Sequence, residues 1–152
     1  MRIIDDIIEA HIFKIENGNL KFLLLKRSLN DIYPGLWQPI TGRMNLNEKA
    51  FEAALREIEE ETSLKPEEFW VVPNVNSFYN PESDTVSIIP VFVGQVKETF
   101  SIILSEEHEE FGWFSIEETL PLLSWPGQRR SAEIIYQYVN NEMLYFELVK
   151  LI

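Results

Sequence analysis

The chain has 152 residues, 45% apolar and 25% charged, with no cysteine and a formal net charge of -12. That length carries one domain, residues 1–152, with a sizeable core. The charge disfavours a nucleic-acid duplex or an anionic membrane as partner, so a phosphate-bearing substrate would need a cation to hold it, and the absence of cysteine excludes disulfides, thiolate zinc sites and cysteine nucleophiles.

At the N-terminus, Asp5, Asp6 and Glu9 interrupt the first apolar run, which therefore does not read as a signal peptide. No apolar run is long enough to span a membrane, and a cytoplasmic location is expected. "IIEAHIFKIENGNLKFLLLKRS" reads as two strands about the turn Asn17-Gly18. "LNDIYPGLWQPITG", punctuated by Pro34, Gly35 and Pro39, is loop with a short extended piece. Phe51, Ala54, Leu55 and Ile58 then fall at i, i+3, i+4 and i+7, predicting a helix over about 48–62 with Asn47 as N-cap and Pro66 beyond its end. "FWVVPNVNSFYNP" and "TVSIIPVFVGQV" are strands around the loop "NPESD". "FSIILSEEHEEFGWFS" predicts a strand, an acidic loop and a short strand ending at Trp113-Phe114. Ser115 and Glu118 form a capping-box pattern ahead of a short helix. A second amphipathic helix places Ala132, Ile135, Tyr136 and Val139 at helical spacing, and the tail "LYFELVKLI" either extends it or forms an edge strand. The fold class is α+β, a mainly strand core with two or three helices.

The stretch from Gly42 to Leu64 holds six glutamates. Within the helix, Glu57, Glu60 and Glu61 stand at i, i+3 and i+4, on a face turned away from the apolar stripe. Two readings compete: a solvated acidic face, or carboxylates gathered around a cation. Neither Glu57 nor Glu60 has a lysine at i+4, and the three carboxylates lie toward the helix C-terminus, where the macrodipole disfavours anions. A divalent ion would reverse that repulsion, and an all-oxygen ligand set suits Mg²⁺ or Mn²⁺.

Gly42, Glu48, Arg56, Glu57, Ile58, Glu60, Glu61 and Leu64 together resemble the Nudix box of the Nudix hydrolase family at its family spacing. Ser63 alone departs, where the family carries a glycine that ends the helix in the left-handed region. The resemblance implies an α/β/α sandwich with a mixed central sheet and the box helix packed on it. It implies that Glu57, Glu60 and Glu61, with the Gly42 carbonyl, hold divalent metal, and that a Glu48–Arg56 ion pair orients Glu57. The implied reaction is attack of water on a phosphorus of an X-linked diphosphate.

Outside the box, Lys26, Arg27, Trp37, Gln38, Thr41 and Gly42 resemble the segment before the box in bacterial dihydroneopterin triphosphate pyrophosphatases, a branch also known as dATP pyrophosphohydrolases. Glu107, His108, Phe111, Trp113, Ser124 and Trp125 resemble a later segment of the same branch, and its arginine falls on Arg129 or Arg130. The resemblance suggests Lys26, Arg27, Arg129 and Arg130 as phosphate-binding residues, Trp37 as a ring-stacking residue and Gln38 as a reader of the ring edge. Glu107 would be a further metal ligand or the general base. For Trp37 the alternative is a core tryptophan, and for the basic residues simple surface charge. The expected activity is Mg²⁺- or Mn²⁺-dependent cleavage of a (deoxy)nucleoside triphosphate or dihydroneopterin triphosphate to the monophosphate and pyrophosphate. The alternatives are hydrolysis of a dinucleoside polyphosphate, a nucleotide sugar or an RNA 5′ end, or a non-catalytic ligand sensor. A small-molecule phosphate anhydride is the expected partner, and a homodimer through the apolar tail is a candidate assembly.

Overall fold

Along strand β2 (Ile7–Glu16), Ile8, Ala10 and Ile12 alternate with Glu9, His11 and Phe13, so the two faces of the strand differ in chemistry. Asn17 and Gly18 follow at φ of 52° and 79°. Positive φ at both central residues matches the right-handed twist of a hairpin, and the chain returns as β3 (Asn19–Arg27), with Phe22 opposite Phe13. The computed structural model describes residues 1–97, 101–141 and 143–152.

The punctuated loop yields two short strands. β4 (Trp37–Gln38) pairs with β3, and β5 (Ile40–Arg43) pairs with β2. Helix α1 (Ala50–Thr62) comes next, then β6 (Glu68–Asn80) and β7 (Thr85–Gln95), an antiparallel pair. β7 runs parallel to β2 and to the N-terminal β1 (Arg2–Ile4). β8 (His108–Phe114) pairs with β3 and completes a mixed sheet of eight strands among the described residues. Helices α2 (Ile116–Leu122), α3 (Pro126–Asn141) and α4 (Met143–Leu148) follow.

Apolar side chains cover both faces of this sheet. On one, Ile8, Ala10, Ile12, Leu23 and Leu25 pack with Ala53, Ala54 and Ile58 of α1. On the other, Phe13, Phe22 and Leu24 pack with Ala132 and Ile135 of α3 and with Phe146 of α4. The result is the expected α+β sandwich, with the glutamate helix on one face of a mixed sheet.

Several local expectations change. The glutamate helix starts at Ala50, not near Glu48. Its N-cap is Lys49, and Asn47 lies outside the helix in the left-handed region at φ 65°. Glu52 accepts from the Lys49 N–H at 3.2 Å and so satisfies a helix-start donor. At the other end Ser63 adopts φ 65°, ψ 8°, and its N–H donates to the Glu59 carbonyl at 2.8 Å. The serine thus takes the conformation expected of the family glycine, at a cost of about 1 kcal/mol. The strand expected from Phe100 does not form over its described part. The Ile103 and Ser105 N–H groups donate instead to the Thr62 and Glu61 carbonyls at the end of α1, and Phe100 itself lies outside the described residues. Tyr136 is exposed, because α3 buries a stripe through Gln128, Ser131, Ala132 and Ile135. The tail forms a separate helix, α4, followed by an isolated bridge from Lys150 to Trp70 of β6 and not by an edge strand.

Candidate active site

The polar side of α1 is not a uniform solvated face. Glu60 is 56% exposed at its side chain, whereas Glu57 is 14% and Glu61 6% exposed. Glu57 and Glu61 are covered not by the apolar core but by Gly42 and Arg56 and by Ser105 and His108 respectively, and of the three Glu60 alone faces water. Arg56 organises this side. Its Nε and Nη2 donate to the two carboxylate oxygens of Glu48 at 2.8 and 2.9 Å. Its Nη1 donates to Glu57 at 2.9 Å and Glu60 at 3.2 Å, and Nη2 also reaches the Arg43 carbonyl at 2.8 Å. One guanidinium thus joins the loop before the helix, strand β5 and two helix carboxylates, a bidentate geometry that lysine cannot supply.

Charge in this group is unevenly balanced. Arg56 and the Asn45 N–H hold the Glu48 carboxyl down to about 2. Burial pushes the Glu57 carboxyl up; Arg56 opposes this, while the neighbouring Glu60 and Glu61 charges push it further up. Arg56 therefore leaves an excess of negative charge along the helix. Hard carboxylate oxygens with uncompensated charge fit a divalent cation of the Mg²⁺ or Mn²⁺ type.

Gly42 sits against this group. A Cβ built on Gly42 would lie 2.2 Å from Cδ of Glu57. Only a residue without a side chain allows the β5 backbone to approach that carboxylate so closely. Gly42→Ala is expected to displace Glu57 and lower kcat/KM by about 10²-fold, more than it lowers the melting temperature. Steady-state kinetics beside a thermal melt check this.

The segment after residue 100 brings a second set of groups to the helix end. Ser105 Oγ donates to Glu61 Oε2 at 2.6 Å, and His108 Nδ1 lies 2.8 Å from the same oxygen. Ligand atoms of Glu61, Glu107 and His108 lie within 4.8 Å of one another. Burial opposes ionisation of Glu61, but the hydrogen bonds from His108 and Ser105 hold its carboxyl below the usual range. Burial and the Glu61 charge push the Glu107 carboxyl up. The pair thus differs in readiness to hold a proton although both are carboxylates.

A cleft of about 550 Å³ abuts these groups, and Gly42 and Gln38 form part of its wall. Tyr33 and Trp125 pack edge to face in its wall with ring centroids 5.6 Å apart. Deeper lie Glu9, Asn76 and Gln128, all buried. Glu9 bonds His11 at 2.7 Å and accepts from Asn76 at 2.7 Å. Asn74 links Asn76 to Ser131 through two bonds of 2.9 Å. Gly127 allows the start of α3 to approach Asn76, because a Cβ there would lie 2.8 Å from its side chain.

Of the residues suggested for substrate, Arg27 and Gln38 line the cleft, while Lys26, Trp37, Arg129 and Arg130 are not among its lining residues. Trp37 and Gln38 alternate along β4. The Trp37 ring is thereby directed into the α2–α3 side, where it meets Phe114 at 5.2 Å, in keeping with the core alternative. Lys26 lies 3.6 Å from Glu109 and 3.8 Å from Glu110. Arg129 donates to the Leu123 carbonyl at 3.0 Å, and Arg130 is exposed. Arg27 bonds Asp31 at 2.7 Å and the Ile32 carbonyl at 2.6 Å, which anchors the loop carrying Tyr33. The sequence reading did not select Glu9, His11, Tyr33, Asn76 or Gln128. A signal existed for the first two: a charged residue and a histidine at i, i+2 within an otherwise apolar strand share one face.

Residues 7–137 match the NUDIX domain family model. A bis(5′-nucleosyl)-tetraphosphatase [asymmetrical] of Mus musculus is 26% identical over 128 residues, covering 83% of this chain and 85% of that protein. Among solved structures, a C. elegans Ap4A hydrolase binary complex is similar, with a TM-score of 0.75 at 18% identity over 90% of this chain and 98% of that one. The E. coli dihydroneopterin triphosphate pyrophosphohydrolase gives a TM-score of 0.72 at 21% identity over 91% and 99%. With the family model matched along most of its length and the box carboxylates gathered beside the cleft, the chain belongs to the NUDIX domain family and is a Nudix hydrolase.

Proposed function

We propose that this Nudix hydrolase, which acts on phosphate anhydrides, takes nucleoside polyphosphates, with dinucleoside polyphosphates as its leading substrates. The observation that carries this reading is the continuity of the cleft with the carboxylate group. Tyr33 and Trp125 offer aromatic surface for a flat heterocycle, and the same cleft reaches Gly42, against which Glu57 packs. A nucleoside held at the aromatic end brings its phosphates to the carboxylates. The resemblance to asymmetrical bis(5′-nucleosyl)-tetraphosphatases over most of both chains favours a second nucleotide on the far side of the anhydride.

In this reading Glu57, Glu60 and Glu61 with the Gly42 carbonyl would hold divalent cation, and Glu107 is a further ligand or the general base. When bound, that cation offsets the phosphate charge and polarises the anhydride. Arg56 holds Glu57 and Glu60 in place while Glu48 anchors Arg56. Glu107, whose carboxyl is pushed up beside Glu61, is suited to take a proton from the attacking water. Arg27 keeps Tyr33 at the cleft wall through Asp31 and Ile32.

A second reading keeps the nucleoside site but takes a triphosphate, dATP or dihydroneopterin triphosphate, and releases pyrophosphate. It is favoured by the fold shared with the E. coli dihydroneopterin triphosphate pyrophosphohydrolase. Product analysis separates the two. With Mg²⁺, diadenosine tetraphosphate is expected to give AMP and ATP at a kcat/KM at least tenfold above that for any triphosphate. Faster pyrophosphate release from a triphosphate would replace the first reading with the second, and binding without turnover on every compound would favour a ligand sensor.

A further inference from the structure

We infer that Gln38 is a positioning residue for the carboxylate of Glu61, acting through the ring of His108, and not a reader of the substrate ring. The inference rests on the reading of Glu61 as a cation-holding carboxylate. Three elements meet here: β4 supplies Gln38, the start of β8 supplies His108 and the end of α1 supplies Glu61. All three side chains are buried, with residue exposures of 5%, 6% and 5%. Gln38 Nε2 lies 3.1 Å from His108 Nε2, and His108 Nδ1 lies 2.8 Å from Glu61 Oε2.

The chemistry of this row sets the directions of its hydrogen bonds. An amide nitrogen only donates, so His108 Nε2 accepts from Gln38. A neutral imidazole that accepts at Nε2 carries its proton on Nδ1, and that N–H donates to Glu61. The other tautomer would set a nitrogen lone pair against a carboxylate oxygen and leave two N–H groups facing each other. Ser105 Oγ donates to the same Glu61 oxygen at 2.6 Å. With two donors fixed on Oε2, the orientation of the carboxylate is held. Ligand orientation set from behind in this way changes metal affinity without touching the metal.

The backbone supports the assignment. Gln38 lies opposite Leu25 of β3, and Trp37 lies opposite Lys26. The Trp37 ring, wedged against Phe114, holds β4 from the other face of the sheet. One N–H of the Gln38 NH₂ is thereby committed to His108.

Gln38→Met retains length and removes the donor. In the substrate-free protein, its Mn²⁺ affinity by titration calorimetry is expected to be about 10- to 100-fold weaker than wild type. In the metal-free protein, ¹⁵N NMR of the His108 ring is expected to show Nδ1 protonated in wild type and a tautomer mixture in the variant. His108→Asn offers an amide donor to Glu61 that has no tautomer to set. In that background Gln38→Met is expected to change Mn²⁺ affinity less than about twofold. Should Gln38→Met not fold, Gln38→Leu serves, because it likewise removes the donor to Nε2 and adds no charge. Unchanged Mn²⁺ affinity and an unchanged His108 tautomer, with KM raised, would return Gln38 to the substrate and overturn the inference. Wild type that binds no Mn²⁺ overturns this inference and the metal reading together, whereas failure confined to the variants overturns this inference alone.

Discussion

Glu61→Gln is expected to lower kcat by about 10³-fold, equivalent to about 4 kcal/mol of lost transition-state stabilisation, with the fold intact. The substituted amide keeps an oxygen where Ser105 and His108 donate, so the hydrogen bonds at 2.6 and 2.8 Å can re-form. What disappears is the negative charge and one oxygen able to meet a cation. Because burial opposes the ionised form of Glu61 in the first place, neutralising it removes a desolvation cost, and the melting temperature is expected to move by only a few degrees. Glu60→Gln is expected to act in the same direction. Its side chain is exposed and its Arg56 contact at 3.2 Å is long, so its stability effect is smaller still. Kinetics at saturating Mg²⁺ beside a thermal melt decide the matter. Glu61→Gln activity within tenfold of wild type would remove Glu61 from the cation-holding set.

Arg56→Met is expected to destabilise the protein by about 2–3 kcal/mol and to reduce activity at the same time. Removing one partner of a buried ion pair costs about 3–5 kcal/mol, and partial exposure of Arg56 and Glu48, at 25% and 14%, lowers that figure. The loss has four addresses: Glu48, Glu57, Glu60 and the Arg43 carbonyl all lose a donor. Arg56→Lys is expected to recover only part of the stability, because an ammonium cannot serve Glu48 bidentately and reach Glu57 as well. The pH dependence follows from Glu48. Its carboxyl titrates near 2 in the folded chain against an ordinary value of 4.5. The depressed value means that the stabilisation is complete above about 4.5 and is lost as pH falls from there through 2. Arg56→Met and Glu48→Gln should both flatten the stability profile in that window, measured as the urea midpoint against pH. A wild-type slope retained in both variants would rule out the ion pair as its source.

Strand β2, the Asn17–Gly18 hairpin, β6, β7 and the Ser115 cap were legible because each rests on a local pattern: alternation, a positive-φ turn pair or a side chain reaching three residues along. The start of α1 was misread for the same kind of reason. Asn47 has strong capping chemistry, but the chain uses it at φ 65° and begins the helix after Lys49, where Glu52 accepts the backbone donor.

By itself the sequence determined the spacing that gathers Glu57, Glu60 and Glu61 on one helix, because 3.6-residue periodicity is a property of the chain alone, and its resemblance to the Nudix box implied the family. It could not order those carboxylates by burial. Glu61 is enclosed only because residues after position 100 fold back on the end of α1 and bring Ser105 and His108 to it. Nor could it separate Trp37 from Gln38 by role. Strand alternation sends one ring into the core and the neighbouring amide to His108, seventy positions away in sequence from Gln38. Contacts of that range depend on how β3, β4 and β8 register against one another, and that register exists only once the sheet has formed.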